Sequence, residues 1–241
     1  MEARKKLLIA LDVDSWEQAS ALVDLLKDDV GGFKIGMRLF YREGPNVVRR
    51  VAKQTETVFL DLKVHDIPQT ASEAVRALIR YGANLINVHA SGGRAMMEAV
   101  ADAAAAEAAH LGVTRPRIIA VTVLTSLDDD ALQNQLGISS TVAETVIRLA
   151  RNTKQAGLDG VVASPREAAA IRDALGNDFL IVTPGIRPTG TQSNDQKRIM
   201  TPGDAVRQGA DYLVVGRPVT GAPDPRQQAR AIVDEITEAL K

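Results

Sequence analysis

Asp61-Leu62-Lys63-Val64-His65-Asp66-Ile67-Pro68 closes the apolar run Val58-Phe59-Leu60 and sets charged residues at the end of a strand. In an extended strand successive side chains point to opposite faces. Leu60 and Leu62 therefore share one face, while Phe59, Asp61 and Lys63 share the other. Two opposite charges on the inward face of an apolar strand are costly to bury unless they are paired and used. Asp66 follows just past the strand, and Pro68 suits the first turn of a helix. The charges thus fall where a strand meets its loop, the place where an α/β barrel keeps its chemistry.

On both sides of this stretch, short β-rich runs alternate with helical patterns along the chain. Strands are expected at 7–13, 32–36, 58–64, 85–90, 117–124, 160–163, 179–183 and 212–216. Each is followed by a helical stretch, which argues for parallel strands joined in βαβ units. The length of 241 residues is close to the roughly 250 typical of one (β/α)8 TIM barrel, so a single barrel domain over 1–241 is expected. A doubly wound parallel sheet is the competing arrangement. Helix starts carry their own signals: Ser15 with Gln18, Thr141 with Glu144 and Ser164 with Glu167 have capping-box spacing. Pro165 and Pro202 stand at first helical positions behind Ser164 and Thr201. The Ala-rich stretch 99–109 reads as a helix ended near Gly112. Ala229, Ile232, Val233, Ile236 and Leu240 form one stripe of a final helix.

Composition excludes several classes of function. The 29 basic and 30 acidic residues nearly cancel, which leaves no nucleic-acid footprint and no polybasic membrane patch. An aromatic content of 3% offers few platforms for stacking bases. With no cysteine there are no disulfides, thiolate metal sites or cysteine nucleophiles, a composition that fits the cytosol. Leu7-Leu8-Ile9-Ala10-Leu11 after Arg4-Lys5-Lys6 superficially resembles a signal peptide, but the run breaks at Asp12 and reads better as a first strand. No segment approaches transmembrane length, so a soluble, cytoplasmic protein is expected.

If all strands run towards one rim, their polar residues should collect there. Asp12 ends the first strand, Lys34 lies in the second, and Asp61 and Lys63 end the third. Asn87 and His89 alternate along the fourth, with Thr122 and Thr125 at the fifth. Each has a plainer reading alone: Asp12 as a helix cap, Lys34 as a solvated strand end, His89 as a hydrogen-bonded core histidine. Pro184-Gly185-Ile186-Arg187-Pro188 follows the seventh strand, and Gly216-Arg217-Pro218 the eighth. These two loops commonly form the phosphate site of such barrels. Arg187 and Arg217 can give forked hydrogen bonds to phosphate oxygens, and Gly216 lets backbone N–H groups come close. The polar loop 187–198 is longer than most connections, as lids often are. Ser91-Gly92-Gly93 reads as an ordinary loop with a glycine-eased helix start. A phosphorylated small molecule is the expected ligand.

At this point the residues resemble the orotidine 5′-monophosphate decarboxylase family. Leu11-Asp12, Lys34-Ile35-Gly36, the Asp61 to Pro68 stretch, Leu124-Thr125-Ser126, Pro184-Gly185-Ile186-Arg187-Pro188, Asp195-Gln196-Lys197-Arg198 and Val215-Gly216-Arg217-Pro218 look like that family's motifs, in order and over nearly the whole chain. Val64, Gln69, Asn194 and Val219 depart from the family's pattern. The Asp-x-Lys-x-x-Asp core alone is shared with related sugar-phosphate barrels.

The resemblance implies conversion of orotidine 5′-monophosphate to uridine 5′-monophosphate and carbon dioxide, the last step of de novo pyrimidine synthesis, with no metal or organic cofactor. It implies a homodimer with shared sites, into which Asp66, Ile67, Pro68, Gln69 and Thr70 reach from the partner, alongside the local Asp61, Leu62, Lys63, Val64 and His65. Asp12 and Lys34 would hold ribose hydroxyls, and Thr125 and Ser126 would lie at the pyrimidine. Arg187, Gln196, Gly216 and Arg217 would hold the phosphate, with Gln196 able to bridge to the base. Lys63 would stabilise and protonate the carbanion, flanked by Asp61 and Asp66. The competing readings are a magnesium-dependent sugar-phosphate decarboxylase or aldolase of the same superfamily, a Schiff-base lyase acting through Lys63, and a catalytically silent phosphate-binding barrel.

Overall fold

The computed structural model describes residues 2–188 and 200–241. Eight parallel strands pair in chain order and close on themselves: β1 (Leu7–Ala10), β2 (Gly32–Gly36), β3 (Thr57–Val64), β4 (Leu85–His89), β5 (Arg117–Val121), β6 (Gly160–Val162), β7 (Leu180–Thr183) and β8 (Tyr212–Val215). Pairing of β1 with β8 seals the barrel and settles the choice against an open sheet. Around it run α1 (Trp16–Leu26), α2 (Met37–Glu43), α3 (Asn46–Ala52), α4 (Pro68–Ile79), α5 (Arg94–Leu111), α6 (Val142–Gln155), α7 (Ala168–Leu175), α8 (Pro202–Arg207), α9 (Arg217–Thr220) and α10 (Pro225–Ala239). Among the described residues no helix is long and apolar enough to cross a membrane.

Helix ends follow local chemistry. Thr141 and Ser164 make full capping boxes with Glu144 and Glu167. Ser15 does half of what its spacing suggests: its hydroxyl takes the Gln18 N–H, but the Gln18 side chain turns to the Asp14 N–H. Gly112 ends α5 at φ 65°, in the left-handed region open to glycine. On α10, Ala229, Ile232 and Ile236 are buried and Val233 packs beside them. Leu240 falls off that stripe, 47% exposed, because the helix stops at Ala239.

Alternation along the strands makes two layers of core. Leu8 and Ala10, Phe59, Leu85, Ile119, Leu180, Val182 and Val214 fill the barrel, while their neighbours Leu7, Ile9, Phe33, Ile35, Val58, Leu60, Ile86 and Val88 pack outward against the helices. A smaller cluster, including Val146, Val161, Ile171 and Ile181, packs beneath α6 and α7. β1 and β5 are shorter than the sequence suggests, ending at Ala10 and Val121. Beyond them single ladder bonds persist, from Leu11 N–H to the Lys34 carbonyl and from Thr122 N–H to that of Val162, before the chain turns into the rim.

Candidate active site

The inward rows of the strands turn polar together at the C-terminal rim. On β3 the row reads Phe59, Asp61, Lys63; past β1 it continues from Ala10 to Asp12; on β4 it runs Leu85, Asn87, His89. Lys34 is in register with Ala10 and Phe59, one layer down, and its long side chain rises to the charges above. There Lys34 Nζ lies 3.0 Å from Asp12 Oδ1 and 3.3 Å from Asp61 Oδ2, and Lys63 Nζ lies 2.6 Å from Asp61 Oδ1. The result is a chain of alternating charge, Asp12–Lys34–Asp61–Lys63. Gly36 makes room for it: a Cβ there would stand 3.0 Å from both Asp12 Oδ1 and Lys34 Nζ.

Burial sharpens these charges because each is paired. It disfavours the Lys34 ammonium, but Asp61 and Asp12 outweigh it and hold the group above the ordinary lysine value. It likewise pushes the Asp61 carboxyl up, yet Lys34 and Lys63, helped by Asn87, hold it below the usual carboxylate range. Next to them His89 is pressed down to about 4, by burial first and then by His65 and Lys63. Its imidazole is neutral at physiological pH.

Lys63 is the one non-glycine residue with positive φ, 54°, among the described residues. The left-handed region costs an L-residue about 1–2 kcal/mol. This turn shifts the β3–β4 register between Leu60 and Val64, and the Lys63 N–H is met by Asn87 Oδ1 at 2.8 Å. Asn87 Nδ2 donates to Asp61 Oδ1 at 2.7 Å. Asn87 is fully buried. Its signal in the sequence was its parity: it stands on the inward row of the strand beside β3.

A cavity of about 520 Å³ opens over these groups. Asp12, Lys34, Asp61 and Lys63 line one arc of it. Val121, Val123, Leu124 and Val162 form an apolar wall with Thr125 at its edge, and Gly185, Arg187, Gly216 and Arg217 line the arc of β7 and β8. Arg187 is buried, its Nη1 donating to its own Ile186 carbonyl at 2.9 Å, while Arg217 is exposed. A Cβ on Gly216 would make only ordinary contact with Ala10, so its bareness leaves open cavity rather than relieving a clash.

Other expected residues stand elsewhere. Leu62 and Val64 do not reach the cavity; strand alternation turns them outward, where they pack partly buried against the main core. His65, Asp66, Ile67, Pro68, Gln69 and Thr70 form an exposed run beyond β3, apart from this chain's own cavity. Asp66 Oδ1 accepts the Ile67 N–H at 2.7 Å, and Ile67 is 67% exposed. Ser126 is exposed and outside the cavity lining. Thr122 is structural, its hydroxyl donating to the Val162 carbonyl at 3.1 Å. Gly93, at φ 85°, opens α5 as the glycine-eased start expected of it. Gln196 and most of the 187–198 loop lie outside the described residues.

The fold and cavity define a (β/α)8 barrel with a cavity lined by both an alternating Asp–Lys chain and an arginine-bearing arc. Residues 5–232 match the family model described as orotidine 5′-phosphate decarboxylase / HUMPS family. The chain belongs to that family. It is 53% identical over 236 residues to the orotidine 5′-phosphate decarboxylase of Moorella thermoacetica, covering 98% of this chain and 94% of that one. With the protein of the same name from Pelobacter propionicus it shares 52% over 235 residues, 98% and 96% of the two chains. The crystal structure of orotidine 5′-phosphate decarboxylase from Lactobacillus acidophilus superposes with a TM-score of 0.83 at 39% identity, covering 95% of this chain and 97% of that one.

Proposed function

We propose that this chain, as a single barrel domain, decarboxylates orotidine 5′-monophosphate to uridine 5′-monophosphate, the last step of de novo pyrimidine synthesis. Its relatives are named orotidine 5′-phosphate decarboxylases, and an enzyme that breaks the bond from C6 to the carboxylate is a carbon–carbon lyase. The observation that carries the reading is the Asp12–Lys34–Asp61–Lys63 chain, lining one cavity together with Arg187 and Arg217.

The arcs of the cavity suit the parts of the substrate. Arg187, Gly216 and Arg217 hold the phosphate, Asp12 and Lys34 hold the ribose hydroxyls, and Thr125 attends the pyrimidine beside the apolar wall. Gln196 at the phosphate and Ser126 at the pyrimidine rest on the family resemblance alone. When the bond from C6 to the carboxylate breaks, carbon dioxide leaves and the electron pair stays in the ring plane, where π delocalisation cannot spread it. The Lys63 ammonium meets that charge, gives its proton to C6, and regains one from water. Asp61 and Lys34, paired and charged, fix where Lys63 points. No organic cofactor or metal enters this route. Binding energy from the distant phosphate holds the reacting end in place.

The exposed run His65–Asp66–Ile67–Pro68–Gln69–Thr70 supports a homodimer with shared sites. It carries an acidic group and a bare isoleucine away from its own cavity, and in a two-fold dimer each chain's Asp66 would reach its partner's Lys63.

The deciding assay follows the absorbance of orotidine 5′-monophosphate in the presence of chelator. Turnover that survives supports this route. Turnover lost to chelator and restored by magnesium would refute the metal-free route. No turnover here but magnesium-dependent turnover of a sugar phosphate would favour the related sugar-phosphate enzymes, and ligand binding with no turnover of either would indicate a silent barrel.

A further inference from the structure

Asn87 sits in β4 with no exposed surface, and β3 holds its side chain at both ends. Its Nδ2 donates to Asp61 Oδ1 at 2.7 Å; its Oδ1 accepts the Lys63 N–H at 2.8 Å. Only one orientation of the amide serves both, because a carboxylate can only accept and a backbone N–H can only donate. The two bonds fall where the β3–β4 register shifts, between Leu60 and Val64, at the residue with φ 54°. A backbone N–H turned out of its ladder in the interior needs another acceptor, and Asn87 is that acceptor. The Asp61 oxygen that takes the Asn87 amide also takes Lys63 Nζ at 2.6 Å, leaving the other for Lys34 at 3.3 Å. Asn87 is absent from the cavity lining, so it acts on the charges from behind.

We infer that Asn87 is a positioning residue for the decarboxylation. A single amide sets the plane of the Asp61 carboxylate and pins the left-handed backbone that aims Lys63 Nζ into the cavity. The inference rests on the function proposed above. It assigns the strain at Lys63 a cause in the neighbouring strand.

Two replacements separate this role from simple support of the core. Asn87→Ala removes both bonds and leaves the Lys63 N–H bare. Asn87→Asp keeps the size and the acceptor but, when ionised, sets a second carboxylate against Asp61. Like charges so close raise the affinity for a proton, and the introduced carboxyl, once protonated, reproduces the donor and acceptor of the amide.

The experiment measures kcat with orotidine 5′-monophosphate from pH 6 to 8 and the Kd of uridine 5′-monophosphate, for wild type and both variants. Asn87→Ala should lose at least about tenfold in kcat while ligand affinity changes less than about threefold. Asn87→Asp should regain activity relative to Asn87→Ala as the pH falls. The inference is overturned if Asn87→Ala keeps wild-type kcat, if kcat and binding capacity fall together with the folded fraction, or if the two variants show one deficit at every pH. A wild type that does not turn over the substrate would instead sink the proposed function, and the inference with it.

Discussion

Lys63 contributes an ammonium and a strained backbone, and two substitutions pull these apart. A unit pair about 4 Å apart at an effective dielectric near 20 is worth about 4 kcal/mol. Losing that attraction to the carbanion slows the reaction roughly a thousandfold. Loss of a placed proton donor removes about 10²–10⁴ more, so Lys63→Ala should lower kcat by at least about 10⁵. The protein should still fold and bind uridine 5′-monophosphate, since Asp61 keeps the Asn87 amide at 2.7 Å and Lys34 at 3.3 Å. Lys63→Gly should be equally inactive but more stable than Lys63→Ala. Glycine escapes the left-handed cost of about 1–2 kcal/mol and loses about 0.5–1 kcal/mol to its freer unfolded chain, leaving a net gain of up to about 1.5 kcal/mol. The assays are substrate absorbance, calorimetric binding and thermal unfolding. Residual turnover within about a hundredfold of wild type would remove Lys63 from its role, and an Ala variant at least as stable as the Gly variant would show that φ 54° stores no strain.

Mixing Lys63→Ala chains with Asp66→Asn chains should recover activity, because one site of each hybrid dimer regains both groups; random exchange of equal amounts restores about a quarter of the wild-type sites. No recovery despite proven subunit exchange would refute the shared site. Arg217→Ala should weaken uridine 5′-monophosphate by about ten- to a hundredfold, as expected for charge-assisted bonds of about 1.5–3 kcal/mol, and leave uridine binding alone; an equal loss for uridine would deny Arg217 the phosphate. His89 predicts an acid-side slope in stability. Its folded value of about 4 lies below the ordinary 6.5, so in that window the unfolded chain binds more protons and stability falls as the pH drops from 6.5 to 4. Discounted for partial exposure, the loss is about 1–2 kcal/mol. Denaturant unfolding of His89→Gln across the window should lack that share of the slope; an identical slope would remove His89 as its source.

Parity explains what the sequence made legible. In a closed barrel the inward row of each strand runs from apolar core to open rim, so Phe59 predicts the direction of Asp61, and Ala10 that of Asp12. The same rule turns Leu62 and Val64 outward, although both stand inside the motif that carries the chemistry. A motif marks a stretch of chain; the pleat decides which of its residues face the cavity. The period could not foretell Lys63's backbone. Its left-handed turn depends on an acceptor from a different strand, Asn87, whose side chain replaces a ladder bond. Nothing local to residues 61–68 encodes that acceptor, since the two residues meet only once β3 and β4 have paired. The side chain proposed to do the chemistry therefore keeps its inward parity but sits where the β3–β4 ladder lapses, beside a hydrogen bond from the neighbouring strand. Asp66 extends the same logic beyond one chain. Its exposed carboxylate takes only the Ile67 N–H within its own chain, so the catalytic part proposed for it would need a second copy to bring a cavity to it.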